Sequence, residues 1–228
     1  MDGEREGAGG FPERLVEGYR GFVGGRLRRE RDRYEAVAEQ QAPHTLVIGC
    51  CDSRVAPEVI FDAGPGELFV VRLVANLVPA YSPGVDDGIG AALEFAVLGL
   101  RVPHVLVLGH ARCGGVAAFA NARRAPLTGD DLVGRWIAHV APALDRAGPP
   151  GPDPAYLRRL ELASVEQGLE ALMTYPFVRA EVGAGRLALH GAHFDIATGE
   201  LLARDPASGR FAPAAEVLPG RVSPLSCD

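Results

Sequence analysis

Short runs of wholly apolar residues alternate along this chain with longer amphipathic stretches. Residues 45–49, 68–72 (LFVVR) and 105–109 (VLVLG) are brief, apolar and β-branched, the pattern of strands buried on both faces. Between the last two, residues 88–101 are apolar nearly all round and long enough for a buried helix. A further helix is expected after Gly115, another over residues 131–146 around Trp136, and a long one over residues 155–174. The Pro/Gly-rich stretch 148–154 (GPPGPDP) separates the last two. Residues 187–196 and 201–204 flank Ala197-Thr198-Gly199, a hairpin signal. Strands alternating with helices predict an α/β fold, a mainly parallel central sheet flanked by helices. An N-terminal helical arm precedes it over residues 11–41, broken at Gly24-Gly25, with Leu15, Val16, Tyr19, Phe22 and Val23 at near-helical spacing. The expected organisation is one domain: the arm, a core over residues 42–204, and a weakly ordered Pro/Ala-rich tail over residues 205–228.

Composition narrows the function. The 228 residues are 47% hydrophobic and 23% charged, as in a folded globular protein. A net charge of −6 supplies no field for nucleic acid or anionic lipid, so neither is expected as a partner. No apolar run approaches the roughly 20 residues of a membrane span. Residues 1–10 are acidic and Gly-rich without an apolar signal core, which makes the cytoplasm the expected location. All 23 basic residues are arginine. Without lysine there is no Walker A phosphate loop, no Schiff base and no pyridoxal-phosphate anchor.

Two of the expected strands end in metal-ligand residues. The first runs into Cys50-Cys51-Asp52-Ser53-Arg54, the third into His110-Ala111-Arg112-Cys113-Gly114-Gly115. The C-terminal ends of neighbouring parallel strands share one edge, where ligand sites form, so Cys50 and His110 can meet across sixty residues of sequence. Cys113, three positions past His110, can close on the same point. Two cysteines and one histidine with a vacant fourth position are the ligand set of a catalytic zinc. The competing reading is that the cysteines are buried small hydrophobes.

CxDSR, then a V-V-R element, then HxxCGG, in this order and spacing, resemble the β-class carbonic anhydrases of bacteria and plants. The likeness runs from about residue 40 to 202 and includes Pro65-Gly66-Glu67, Ala75-Asn76-Leu77-Val78-Pro79, Ala91-Ala92-Leu93-Glu94 and His190-Gly191. The resemblance implies one Zn²⁺ per subunit on Cys50, His110 and Cys113, with water or hydroxide as the fourth ligand. It implies reversible hydration of CO₂ to bicarbonate and a proton by zinc-bound hydroxide. It also implies a homodimer or homotetramer in which the arm packs on the neighbouring subunit. Asp52 would accept a hydrogen bond from the zinc-held water, and Arg54 would hold Asp52 ionised and oriented. Two thiolates offset the charge of zinc, so such a site acidifies water less than a three-histidine site, and aiming by Asp52 matters more. Phe69, Val74 and Phe95, the last in place of a tyrosine, match an apolar CO₂ pocket. Gly114 matches a backbone N–H donor to bicarbonate. Some relatives close the site by swinging the equivalent aspartate onto zinc, and these carry a tryptophan shortly before the first zinc cysteine. Residues 44–49 contain none, and Gln41 stands where open relatives have a substrate-facing glutamine; the constitutively open type is expected. Departures from the family pattern are Leu73, Ile89 and Arg112.

Other candidates carry less. His190 and His193, three apart on a strand, point to opposite faces and make no second metal site. His44, His104 and His139 show no partner pattern, Cys51 reads as core, and Cys227 as a bystander in the tail. Gly88-Ile89-Gly90 is only a fragment of a dinucleotide fingerprint, and no GxSxG is present. The rival functions are a hydrolase of COS or CS₂ on the same scaffold and a non-catalytic zinc-binding bicarbonate sensor. A redox thiol protein with a Cys50–Cys113 disulfide is a third.

Overall fold

In a computed structural model, which describes residues 10–85, 87–121, 125–149 and 154–217, six strands form one mixed sheet in the order β2-β1-β3-β4-β5-β6. The arm comprises α1 (Glu13–Gly24), α2 (Arg26–Arg29) and α3 (Arg31–Ala36), with the break at Gly25 where the sequence places it. Strand β1 (Thr45–Cys50) is followed by the short helix α4 (Pro57–Ile60), then by β2 (Leu68–Leu73). Helix α5 (Gly88–Glu94) leads across to β3 (His104–His110), and α6 (Gly114–Ala120) follows directly. Next come α7 (Leu132–Ile137), a 3₁₀ segment (Ala138–Ala143), α8 (Leu144–Ala147), α9 (Pro154–Leu172) and α10 (Pro176–Gly183). The hairpin of β4 (Ala188–Phe194) and β5 (Leu201–Arg204) precedes β6 (Phe211–Pro213) and α11 (Ala214–Val217).

Strands β2, β1, β3 and β4 are mutually parallel, and β5 and β6 add antiparallel at one side. From β1 the chain moves to β2 on one side and then returns past β1 to β3 on the other. The carboxyl ends of β1 and β3 therefore flank a topological switch point, where open α/β sheets form their ligand crevice. Alternation along β1 and β3 divides the core. Leu46, Ile48, Val105 and Val107 face α5 and α9, while Val47 and Leu108 face α4 and the β4–β5 side. Beyond the strand ends a further apolar cluster joins Cys50, Val55, Ala75, Cys113, Val116, Val140, Tyr156 and Leu160.

Several expectations are corrected. The helix over residues 131–146 is broken into α7, a 3₁₀ segment holding Pro142, and α8, because proline removes a backbone donor and crowds the preceding turn. Residues 88–101 are not buried all round: α5 passes into a π-helical turn (Phe95–Gly99), and Phe95 and Leu98 are exposed on the single chain. Residues 205–217 of the tail are structured, since β6 pairs with β5 and α11 follows it; residues 218–228, Cys227 among them, lie outside the described residues. No helix of the described residues is long and apolar enough to cross a membrane.

Candidate metal centre

Strand β1 ends at Cys50, and the next N–H makes its last bond to β2. Cys51 N–H donates to Leu73 O at 3.0 Å, and the chain turns out to solvent with the Cys51 side chain exposed. Cys51 is thus not core, contrary to the reading from strand alternation, which stops one residue earlier. Cys50 itself is buried, and its sulfur accepts the Asp52 N–H at 3.4 Å. Arg72, from β2, closes the turn from below, donating to Cys50 O at 2.9 Å and to Asp52 O at 2.6 Å. Three bonds from Arg54 fix the Asp52 carboxylate. Its backbone N–H and Nε donate to Oδ1 at 3.0 and 2.9 Å, and Nη2 donates to Oδ2 at 2.7 Å. The Arg54 guanidinium holds the Asp52 pKa well below the usual carboxylate range, so Asp52 accepts hydrogen bonds and does not donate them.

The second half of the site comes from the end of β3. His110 is buried, and its Nδ1 lies 3.0 Å from Ala111 O, which as an acceptor assigns the ring proton to Nδ1. Its Nε2 is buried without a hydrogen-bond partner. Arg112 adopts a left-handed φ of 57°, unusual for a side chain other than glycine, asparagine or aspartate, and so brings Cys113 back beneath His110. The Cys50, His110 and Cys113 ligand atoms lie within 4.8 Å of one another. The Cys50 thiol is drawn down by hydrogen bonding from Cys113, by His110 and by the Asp52 amide; the Cys113 thiol is pushed up by its thiolate neighbour and by burial. Burial opposes the charge on His110, yet the Cys50 thiolate lifts its pKa overall.

These residues fit zinc. A bare, buried imidazole nitrogen facing two sulfurs is an unmet polar group that a cation satisfies. Its Nδ1 bond to a carbonyl is the outer hydrogen bond that metal-bound histidines make. Tetrahedral zinc separates sulfur and nitrogen ligands by roughly 3.5–3.8 Å, which this cluster allows. Cys50 and Cys113 are free thiols, so the disulfide of the redox reading is not formed.

The other sequence candidates divide in two. Val74 lies beside the centre, its carbonyl accepting Trp136 Nε1–H at 2.8 Å, and Gly114 opens α6 immediately after Cys113. Phe69 and Phe95 touch each other, ring centroids 5.9 Å apart, but Phe69 is registered against Leu46 and Leu73 against Cys50. Four residues of strand, about 13 Å, separate them from the metal edge. Gln41 precedes β1 and so lies at its opposite end, about 17 Å or more from Cys50 along the strand. One chain does not bring Gln41, Phe69 and Phe95 to the ligands. Of the departures, Leu73 ends β2 beside Cys50, Ile89 is buried in α5, and the Arg112 guanidinium turns to Asp195, 3.7 Å away.

Sequence reasoning missed three features. Glu161 and His193 form a buried pair behind Cys113. Trp136 reaches back 62 residues to Val74. His104, for which the sequence shows no partner pattern, has its Nδ1 3.2 Å from His190 Nε2 across β3 and β4. His190 and His193 do face opposite ways, one exposed and one buried. An acid among the mostly apolar positions Leu157, Leu160, Ser164 and Val165 of α9 is the only sequence signal available for Glu161.

Comparison with known proteins agrees with this geometry. The family profile described as carbonic anhydrase matches residues 45–201. The chain is 39% identical over 206 residues to a carbonic anhydrase of Pseudomonas aeruginosa, covering 86% of this chain and 92% of the relative. Among solved structures it is similar to the β-carbonic anhydrase CcaA, with a TM-score of 0.79 and 30% identity over 88% of this chain and 91% of that one. It is also similar to one of two tetrameric β-carbonic anhydrases of the fungus Sordaria macrospora, with a TM-score of 0.74 and 28% identity over 87% and 97%.

Proposed function

The chain belongs to the β-class carbonic anhydrases, an enzyme family, and from that premise we propose that it is a zinc-dependent catalyst of reversible CO₂ hydration whose site is constitutively open. The observation that carries the reading is the unpartnered His110 Nε2 facing the Cys50 and Cys113 sulfurs beside an ionised Asp52. Bound zinc supplies a Lewis acid that lowers the pKa of water and makes a nucleophile available near neutral pH. Cys50, His110 and Cys113 hold the metal. Asp52, an obligate acceptor, takes the proton side of the nucleophile and turns its lone pair toward the carbon of CO₂. Arg54 keeps that carboxylate in place by two guanidinium bonds and a backbone bond, which supports the open arrangement, since an aspartate so engaged does not leave for the metal.

In this reading a second copy completes the pocket. Gln41 and Phe95 are exposed and cannot reach the centre of their own chain, whereas a two-fold interface would set each copy's residues against the other's site. Val74 and Gly114 line the pocket from within the chain, and Phe69 supports Phe95. A dimer or tetramer follows, and the free thiols suit the cytoplasm.

The test is stopped-flow CO₂ hydration at about pH 8.5 on protein of measured zinc content, the alkaline pH being chosen because two thiolates leave bound water less acidic than the pKa of about 7 of a three-histidine site. Turnover should require zinc and fall roughly 10–100-fold in Asp52→Asn with zinc retained. Full zinc occupancy without hydration would overturn the reading and bring COS and CS₂ hydrolysis, then the sensor, forward.

A further inference from the structure

Behind the ligand turn lies a buried acid–base pair that the proposed chemistry leaves unused. Glu161, on α9, is 4% exposed, and His193, on β4, is fully buried. Glu161 Oε1 accepts the backbone N–H of Cys113 at 3.0 Å, and its Oε2 lies 3.2 Å from His193 Nε2. Both oxygens therefore accept, which assigns the His193 proton to Nε2 and leaves Nδ1 as the bare nitrogen, without a partner. A bare acceptor is less costly to bury than an orphaned N–H.

The pair is not placed at random with respect to the ligands. His193 is the register partner of Gly109, one residue before His110, and the next residue, Phe194, accepts the Ala111 N–H at 2.9 Å. Two consecutive β4 residues thus hold both ends of the ligand turn. Phe194 takes the amide after His110 directly, and His193 takes the amide of Cys113 through Glu161. Between them Arg112 sits in its left-handed conformation, a turn whose geometry needs support from outside. Cys113 is also the N-cap of α6, and fixing its N–H fixes the direction in which its sulfur leaves the backbone.

We propose that Glu161, clamped by His193, is a positioning residue that orients Cys113 as a metal ligand. The proposal rests on the zinc reading above. A helix-to-sheet pin with only a structural role has no need to engage the amide of a ligand, and it predicts no change at the metal.

The experiment uses the full chain loaded with zinc, followed by transfer of the metal to pyridine-2,6-dicarboxylate, and the Co²⁺-substituted protein followed by its visible d–d bands. Three variants divide the roles. Glu161→Met keeps volume without an acceptor, Glu161→Gln keeps an acceptor for the Cys113 amide, and His193→Phe removes the clamp alone. Zinc release should accelerate about 10–100-fold in Glu161→Met, with altered Co²⁺ bands. Glu161→Gln should restore both toward the unsubstituted chain, and His193→Phe should fall between. Folded Glu161→Met with unchanged release and bands overturns the proposal, as does Glu161→Gln behaving like Glu161→Met. Should Glu161→Met fail to fold, His193→Phe decides: faster release supports the clamp, and an unchanged rate overturns it. An unsubstituted chain that binds no zinc fails at the zinc reading itself, so the two failures are told apart.

Discussion

Asp52 is the residue whose electrostatics reach furthest. Its folded pKa lies below the ordinary 3.8 because Arg54 donates to both carboxylate oxygens. The unfolded chain therefore binds more protons as the pH falls below that ordinary value. The pair's contribution to stability is present above about pH 4 and is lost as the pH drops toward the depressed folded value. Arg54→Ala should flatten this acid limb when urea midpoints of reduced, zinc-free protein are compared between about pH 5 and pH 2. Identical limbs would show that the pair is not formed in solution. Cys50, His110 and Cys113 were legible as a cluster from residue type at strand ends, and Asp52 and Arg54 through the family resemblance. Glu161 and His193 were not, because a single buried acid and a single histidine have no spacing to read.

At the scale of elements, the centre depends on how closely α6 approaches the segment after β2. A Cβ on Gly115 would lie 2.9 Å from both Val74 Cγ1 and Ala75 Cβ, and Ala75 is already held at a φ of 61°. That backbone has little room to retreat. Gly115→Ala should therefore destabilise the fold by about 1–3 kcal/mol, visible as a lower thermal midpoint. A midpoint equal to that of the unsubstituted chain would show that α6 can shift without cost. Strand positions and the β4–β5 hairpin followed from apolar runs and turn residues. The π-helical turn at Phe95–Gly99 did not, because its Leu100 N–H to Phe95 O bond arises from packing and leaves no mark in periodicity.

For the molecule as a whole, the arm is the unfinished part. Arg33 joins Glu67 at 2.5 Å, tying α3 to the core, but α1 buries no residue on its own chain. Leu15 and Tyr19, four apart on one stripe of α1, are 59% and 66% exposed, and Phe11, just before the helix, is 74% exposed. Charging this stripe in Leu15→Glu/Tyr19→Glu should convert the assembly to smaller species by light scattering. CO₂ hydration should fall with it if Gln41 and Phe95 act across the interface. An unchanged mass would place the stripe outside the assembly contacts.

The sequence by itself determined five of the six strands and the Cys50, His110 and Cys113 cluster, and the family resemblance pointed to Asp52 and Arg54. Apolar runs specify buried strands, and thiol, imidazole and carboxylate chemistry is fixed by residue type. Tertiary structure alone decided which residues share the site. It set Gln41, Phe69 and Phe95 away from the ligands of their own chain, turned Cys51 out to solvent, and brought Trp136, Glu161 and His193 in behind Val74 and Cys113. Those placements depend on strand direction, register and helix packing, which are properties of contacts between segments distant along the chain.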